Sequence, residues 1–272
     1  ALAGNKDERE GSFDKNATEA VAKAIIDVAK QGVEVGVVVG GGNIWRGRFG
    51  EGMDDVTADH MGMLATVINA LYLRDALERQ GMPTRVQTAI EMRQLAEPYI
   101  RGRAVRHLEK GRVVIFAAGT GNPHFTTDTA AALRASEVNA DAILKCTTVD
   151  TLFDSDPHQN PDAKPIIDIS YGEVIQRQLH VMDITAFTLC HERKIPQVRI
   201  FSLSDPQNLV RVVNGQHPLP MTDRPHPKRR RQKQCRSRAG CPYAAQNRRT
   251  LRVCRPLPST AACPSRAPVR RR

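Results

Sequence analysis

Short apolar segments alternate with amphipathic helix patterns between residues 17 and 213. The apolar segments are rich in β-branched residues, as buried strands are, and they lie at 33–43, 84–90, 112–118, 141–147 and 196–203. The helical patterns lie around them, at 17–32, 57–81, 94–111 (interrupted near Pro98), 126–140, 170–179, 182–194 and 206–215. Apolar strands separated by helices predict an α/β fold, a three-layer α/β/α sandwich with a mostly parallel central sheet.

The last part of the chain has a different composition. Residues 216–272 hold 16 of the 40 Lys and Arg residues but only one of the 29 acidic residues, Asp223. The remainder then has 24 basic and 28 acidic residues, a net charge of −4. Few large apolar residues occur in the tail, so burial cannot offset its ordering entropy. We predict a domain at 1–215 and a disordered Arg/Pro-rich tail at 216–272, whose bias is also typical of an out-of-frame reading of GC-rich coding sequence.

Several classes of protein are excluded by missing patterns. The cysteines show neither C-x-x-C pairs nor histidines at zinc spacing, so we expect no metal-ligand set. Neither a Walker A loop nor a G-x-G-x-x-G fingerprint occurs, which excludes ordinary P-loop kinases. No run reaches the roughly 18 apolar residues that span a bilayer, and no signal-peptide pattern opens the chain. We therefore expect a cytoplasmic protein without a membrane partner.

The apolar segment at 33–43 ends in a first glycine loop, which lies within "VVVGGGNIWRG". Gly40, Gly41 and Gly42 would let the backbone approach a ligand and turn its N–H groups toward anionic oxygen. Arg46 follows, and its guanidinium could bind a phosphate in a fork. Three glycines can equally form an ordinary tight turn, so both interpretations stay open.

A second loop, "GTGNPHFTTD", leads from the strand at 112–118 into a helix. Free N–H groups at a helix N-terminus form an anion site. The hydroxyls of Thr126 and Thr127 could reach a phosphate or simply cap the helix. Asp128 would repel an anion unless Mg²⁺ or a lysine lies between the two. Capping explains one of these residues but not all of them.

Two further segments carry acidic side chains. Asp59, in "TADHMGM", is either a helix-start acid favoured by the helix dipole or an acceptor of hydrogen bonds from a ribose. "LKCTTVDTLFDSDP" contains Lys145, Thr147, Phe153 and Asp156 after a strand. An aromatic ring beside carboxylates can hold an adenine and its ribose, whereas an acidic Asp-Pro loop alone is usually a turn.

In this order, the motifs resemble those of bacterial-type uridylate kinases (UMP kinases), members of the amino acid kinase superfamily, over nearly all of 16–215. The resemblance implies the amino acid kinase fold and the reversible transfer of the ATP γ-phosphoryl group to UMP, giving UDP and ADP in pyrimidine nucleotide biosynthesis. It also implies Mg²⁺ with ATP but no tightly bound cofactor, GTP as an activator, UTP as an inhibitor, and a homohexamer.

The resemblance also assigns residues. Contacts to UMP are expected from Gly41, Asp59, Thr120, Gly121, Asn122, Pro123, His124, Phe125, Thr126 and Thr127. Contacts to ATP are expected from Gly42, Arg46, Thr147, Phe153 and Asp156. It implies that Asp128 and Asp183 organise the charged groups around the transferring phosphoryl group. Lys145 and Arg46 are the further catalytic candidates, because their positive charges could neutralise the equatorial oxygens. The UMP phosphate is already ionised and is itself the nucleophile, so positioning and charge neutralisation suffice.

The printed sequence departs from the family at its start. Uridylate kinases begin with an apolar strand reading into K-L-S-G-E-A-L, whereas this sequence starts at Ala1-Leu2. The lysine of this motif is therefore missing from the sequence. Because the loss of one charged group that stabilises the transition state costs about 10²–10³ in rate, we expect impaired activity. The alternatives are a kinase with a carboxylate or carbamate acceptor, a non-catalytic paralogue, and a nucleic-acid-binding protein that uses "PKRRRQKQCRSR" non-specifically.

Overall fold

The computed structural model describes residues 13–45, 52–147, 152–154, 162–166, 168–179, 181–216 and 221–222. Its helices are α1 (Lys15–Ala29), α2 (Asp55–Arg79), α3 (Arg101–Glu109), α4 (Thr127–Val138), α5 (Tyr171–Gln176), α6 (Ile184–Glu192) and α7 (Asn208–Val213). Its strands are β1 (Gly36–Val38), β2 (Thr84–Thr88), β3 (Glu97–Pro98), β4 (Val113–Ala117), β5 (Ile143–Thr147), β6 (Leu152–Phe153), β7 (Pro165–Ile166), β8 (Gln197–Ser202) and β9 (Met221–Thr222).

The strands pair in three groups. Four parallel strands follow the order β1-β4-β2-β3, with Ile115 of β4 lying between Val37 and Val86 of its neighbours. A second group pairs β5 parallel to β8, with β9 antiparallel at the edge, and β6 pairs antiparallel with β7. The predicted α/β fold with a mostly parallel sheet is confirmed.

Alternation along β4 shows how the layers form. Val113, Ile115 and Ala117 pack in one buried cluster with the apolar sides of α1 and α2. Val114 and Phe116 point the other way, into a cluster with α3. Successive side chains of a strand face opposite sides of the sheet, so this fully buried strand requires helices on both faces.

The β5–β8 part is covered in the same way. Ile143, Val198 and Ile200 pack in a cluster with residues of α4, α5 and α6. Leu144, the next residue along β5, packs instead in a cluster with residues of α1 and α7. The helices α1 and α4 thus reach both groups of parallel strands, on opposite faces.

Two elements begin or end differently from the pattern. The strand predicted at 33–43 stops at Val38, because the chain then turns, and the N–H groups of Ile44 and Trp45 both donate to the Gly41 carbonyl at 3.0 Å. The helical segment predicted at 94–111 begins as the short strand β3, which pairs with β2. The helix itself starts at Arg101, since Pro98 has no N–H to donate within a helix.

The sheet extends past the predicted boundary near Gly215. Met221 and Thr222 pair with Val198 and Gln197 of β8. A segment of two residues carries too little pattern to stand out against the composition of the tail, most of which lies outside the described residues. Among the described residues, no helix has both the length and the apolar character needed to cross a membrane.

Candidate active site

The first glycine loop rests directly on α2. A Cβ atom added to Gly41 would lie 2.6 Å from the carbonyl oxygen of Gly62 and 2.8 Å from the Cβ of Ala65. Real Cβ contacts do not come this close, so only glycine fits here. A Cβ atom added to Gly40 would lie 3.7 Å from the Thr127 hydroxyl, an ordinary van der Waals distance. The glycine requirement at Gly41 therefore comes from α2, and the loop lies beside the N-terminus of α4.

A buried asparagine that the sequence analysis did not single out holds this loop. Asn69, on α2, is 1% exposed and donates from Nδ2 to the Gly40 carbonyl and to Asn43 Oδ1, both at 2.6 Å. Asn43 Nδ2 donates back to Asn69 Oδ1 at 3.2 Å. The sequence did carry a sign of this role, because Asn69 is a polar residue at a position where the helix pattern is otherwise apolar. Gly42 lies exposed in the same turn, and Arg46 lies outside the described residues.

The second loop, residues 118–126, has an unusual backbone. Four of its residues have positive φ, namely Ala118 (60°), Gly119 (59°), Gly121 (90°) and His124 (67°). Glycine adopts such angles freely, but Ala and His residues there are strained unless their surroundings hold them. The Ala118 N–H donates to Thr66 Oγ1 at 2.8 Å, and the His124 N–H donates to Asp59 Oδ2 at 2.7 Å. We call residues 118–126 the acceptor loop.

Asp59 lies one turn inside α2, not at its start. The helix begins at Asp55, and Asp54 is its N-cap. The Thr57 N–H, which donates to Asp54 at 2.9 Å, lowers the pKa of the Asp54 carboxyl. The interpretation of Asp59 as a helix-start acid is therefore wrong. Its carboxylate holds the acceptor loop at His124 while its side chain stays 39% exposed, so a ligand can reach it.

One carboxylate joins the N-termini of α4 and α6. Thr126 caps α4 by accepting from the Thr129 N–H at 3.2 Å, and its hydroxyl donates to Asp183. The Thr129 hydroxyl donates to Asp183 at 3.1 Å, and Asp183 caps α6 by accepting from the Ala186 N–H at 2.7 Å. Asp183 thus lies at the positive ends of two helix dipoles, where a carboxylate is stabilised.

The cation that Asp128 requires is present in the chain. Lys145 Nζ, on β5, forms an ion pair with Asp128 Oδ1 in the first turn of α4. The two side chains are 26% and 21% exposed. This pair links the β5–β8 strands to the helix that the acceptor loop enters. Among the described residues, no group of three or more His, Cys, Asp or Glu side chains is arranged to hold a metal ion.

Two of the residues predicted to contact ATP, Thr147 and Phe153, lie in β5 and β6. Thr147 ends β5, and Phe153 in β6 pairs with Pro165 of β7. Thr147 thus lies at the carboxyl end of a parallel strand, which is the end where ligands generally bind. Asp156 lies outside the described residues.

A cavity of about 490 Å³ lies beside the acceptor loop. This volume falls in the range of small-molecule sites. Phe125 at its mouth is 53% exposed. The cavity is lined by the loop residues Thr120, Asn122 and Phe125 and by residues of α4 and α6, namely Thr129, Leu133, Ile184, Thr185, Thr188, Leu189 and Glu192. Three of the predicted UMP contacts thus lie on its wall, and Gly121, Pro123 and His124 lie between them in the chain.

Known proteins resemble this chain in sequence. The sequence profile of the amino acid kinase family matches residues 5–202. A curated relative, the chloroplastic uridylate kinase PUMPKIN of Arabidopsis thaliana, is 53% identical over 219 residues, 79% of this chain and 63% of the plant protein. The chain therefore spans less than two thirds of that relative's length.

Solved structures agree with this assignment. The UMP kinase from Bacillus anthracis is 39% identical, with a TM-score of 0.78 over 83% of this chain and 93% of that chain. The UMP kinase from Ureaplasma parvum is 36% identical, with a TM-score of 0.76 over 81% and 94%. The resemblance read from the sequence motifs is confirmed: the chain belongs to the amino acid kinase family, and its relatives within that family are UMP kinases.

Proposed function

We propose that this chain transfers the γ-phosphoryl group of ATP to UMP, giving UDP and ADP. The observation that carries the proposal is the fixed acceptor loop, whose strained backbone is held by Asp59 and Thr66 of α2 and which ends in the hydroxyl-bearing N-terminus of α4. The relatives named uridylate or UMP kinase support the choice of acceptor.

The acceptor site accounts for both parts of a nucleotide. The N-terminus of α4 offers backbone N–H groups and the Thr127 hydroxyl to a phosphate, and Gly40, next to Gly41 in the chain, lies beside it. The exposed side of the Asp59 carboxylate accepts hydrogen bonds from the ribose. The residues from Thr120 to Phe125 contact the uracil. The Asp183 carboxylate positions the N-terminus of α4 through Thr126 and Thr129.

Catalysis is electrostatic in this scheme. Negative charge spreads over the equatorial oxygens of the transferring phosphoryl group, and a positioned cation stabilises it. Lys145 supplies that charge from β5, and Asp128 orients the lysine. The Arg46 guanidinium adds a second positive charge. The ionised UMP phosphate attacks directly, so no side chain has to remove a proton.

Mg²⁺ would be held at this site together with ATP. Such an ion uses one or two carboxylates together with phosphate oxygens and water, and it would neutralise charge on the phosphates. The residues present fit this use at Asp128, which has a lysine partner on one oxygen. Asp183 fits less well, since its oxygens already accept from Thr126, Thr129 and Ala186. Thr147, Phe153 and Asp156, with Gly42, contact the adenine nucleotide.

The oligomer, the regulators and the compartment belong to the same proposal. Met61, Leu64 and Ile68 form an exposed apolar stripe along α2, with exposed fractions of 37%, 46% and 48%. Their spacing places them on one face of the helix, and a second copy of the chain would cover them. This stripe supports a homo-oligomer. From the family resemblance we further propose that the oligomer is a hexamer, activated by GTP and inhibited by UTP. We retain a cytoplasmic location as a proposal, although the plant relative is named chloroplastic.

The proposal is tested by incubating the chain with Mg²⁺-ATP and, in separate reactions, UMP, CMP, AMP, GMP, a carboxylate or a carbamate. Binding of UMP is measured in parallel. We expect UDP to form with UMP and little product with the other nucleotides. Formation of ADP with a carboxylate or carbamate acceptor but not with UMP would contradict the assignment. Binding of UMP without any UDP would instead identify a non-catalytic paralogue.

A further inference from the structure

Arg134 is a buried arginine that the proposed chemistry does not use. It lies on α4, and its side chain is 6% exposed. Its Nη1 donates to Glu137 Oε2 at 2.7 Å, and its Nη2 donates to the carbonyl oxygen of Gly119 at 3.4 Å. The guanidinium also stacks over the ring of Tyr99, with 3.8 Å between its carbon and the ring centroid.

The partners of Arg134 are themselves fixed. The Tyr99 hydroxyl donates to Glu137 Oε2 at 2.6 Å. Burial, followed by the neighbouring Glu137 carboxylate, raises the pKa of Tyr99 to about 12, so the hydroxyl keeps its proton and remains a donor. The Tyr99 ring meets the Phe116 ring edge-on, with 5.7 Å between centroids. A charge buried among satisfied partners is held in one orientation.

The acceptor loop begins where this cluster touches it. Ala118 and Gly119 have φ values of 60° and 59°, and the chain keeps this left-handed pair only if neighbouring groups hold it. Thr66 holds the pair from one side through the Ala118 N–H, and Arg134 holds it from the other through the Gly119 carbonyl. Every loop residue predicted to contact UMP follows this pair.

We propose that Arg134 is a positioning residue for UMP, which it serves by holding the Gly119 carbonyl and thereby the course of the acceptor loop. The inference rests on the proposed function, since it names UMP as the ligand that the loop receives. Arg134 does not touch the nucleotide itself. Its loss should displace the loop, and small displacements of positioning groups weaken binding and rate strongly.

The test compares three substitutions. Arg134→Met keeps an unbranched stem but removes the charge and the donors. Arg134→Lys keeps the charge but cannot donate to Glu137 and Gly119 in the same fork. Arg106→Met is the matched control, because Arg106 pairs with Glu109 at the same i,i+3 spacing but is 65% exposed on α3. The dissociation constants of UMP and of ATP are measured by calorimetry for each folded variant.

We expect Arg134→Met to weaken UMP binding about tenfold, the loss expected for a hydrogen bond from a charged group, with ATP binding within about twofold. Arg134→Lys should fall between, and Arg106→Met should match the unsubstituted chain. Equal losses for UMP and ATP, or unchanged UMP binding in a folded Arg134→Met variant, would overturn the proposal. If Arg134→Met does not fold, the same criteria apply to Arg134→Lys.

Hydrogen exchange separates this inference from the proposed function. If the unsubstituted chain binds no UMP, the proposed function fails, but the anchoring of the loop can still be measured. Amides of residues 119–122, 124 and 125 should exchange faster in Arg134→Met than in the unsubstituted chain or Arg106→Met. Unchanged exchange in these amides would overturn the anchoring role as well.

Discussion

Two sides of the proposed site are held by different means. The acceptor side comprises the two glycine loops beside α2, and the donor side comprises the end of β5 with β6 and β7. On the acceptor side, buried side chains of α2 hydrogen-bond to the backbone of both loops, Asn69 to Gly40 and Thr66 to Ala118. On the donor side, Phe153 is placed by the pairing of β6 with β7. Beside it, the Lys164 N–H donates to Asp154 Oδ1 at 2.8 Å, and the Asp154 N–H donates to the Lys164 carbonyl at 3.1 Å. The acceptor side is thus fixed by the core, and the donor side by short strands.

This difference suggests how substrate selection is divided. A loop held at several buried points can discriminate between similar nucleotides, because a wrong group would leave buried polar atoms unpaired. Short strands with exposed residues supply contact area but less geometric constraint. We therefore expect selectivity for the acceptor to depend on α2 and α4, and the charge for the reaction to depend on the Lys145–Asp128 pair, where the two sides meet.

The largest effect is expected at this meeting point. Lys145→Met removes the cation that the donor side contributes, so kcat should fall by about 10²–10³, the usual cost of one electrostatic stabiliser. The KM for UMP should change little, because the acceptor loop stays anchored. Lys110→Met, at the exposed end of α3, serves as the control in a steady-state assay. A fall in kcat below about threefold would show that Lys145 is not the stabilising cation.

A second substitution tests the packing of the first glycine loop on α2. Gly41→Ala would place a methyl group 2.6 Å from the Gly62 carbonyl oxygen, so the free energy of unfolding should drop by about 1–3 kcal/mol in urea titrations. Gly102→Ala is the matched control, because an added Cβ there meets no atom of the described residues within 4 Å. It lies in α3 and should be neutral or stabilising by up to about 1 kcal/mol. Equal effects of the two substitutions would contradict the close contact.

The smallest effect concerns Glu97, at the far edge of the four-stranded sheet. Burial works against its charged form, but hydrogen bonds with His107 at 3.0 Å and from Gln87 at 3.1 Å outweigh it, so the pKa of Glu97 lies below 4.5. Arg85 lies 3.9 Å away, and Arg112 contacts the other nitrogen of His107. The stabilisation that accompanies a lowered pKa is fully present above the pKa of the unfolded state. It is lost as the pH falls through the pKa of the folded state.

Glu97→Gln should therefore destabilise the chain at pH 6 by a fraction of a kcal/mol, as partly exposed pairs do. This difference should shrink as the pH drops below about 4.5. Urea unfolding of both chains across this range measures it. A difference that grows on acidification would mean that the carboxylate is not stabilised by its partners.

The fold and the two loops were predictable because their signals are local. Apolar runs located β2, β4, β5 and β8, and glycine clusters located both loops at strand ends. Resemblance, not pattern, pointed to Asp183. Which strands pair with one another was not predicted, since separate pairing of the β1–β4 and β5–β8 groups depends on contacts distant in sequence.

The anchors of the acceptor side were missed for the same reason. Thr66 meets Ala118 across 52 positions, and Asn69 meets Gly40 across 29. Nothing local in either segment announces its partner. The one usable sign in the sequence is a polar residue within an apolar pattern: Thr66, Asn69 and Arg134 are all buried on helices whose buried residues are mostly apolar. Buried polar groups require partners, so such positions are where loop anchors should be sought.

The central claim, that the anchored acceptor loop forms a UMP site, is tested most directly by calorimetric titration of the chain with UMP, with CMP as the comparison ligand and Asp59→Asn as the variant. We predict saturable binding of UMP, little binding of CMP, and weakened UMP binding after the substitution, since Asp59 holds the His124 N–H and faces the ligand. A chain that is folded by circular dichroism yet binds UMP no better than CMP would contradict the account.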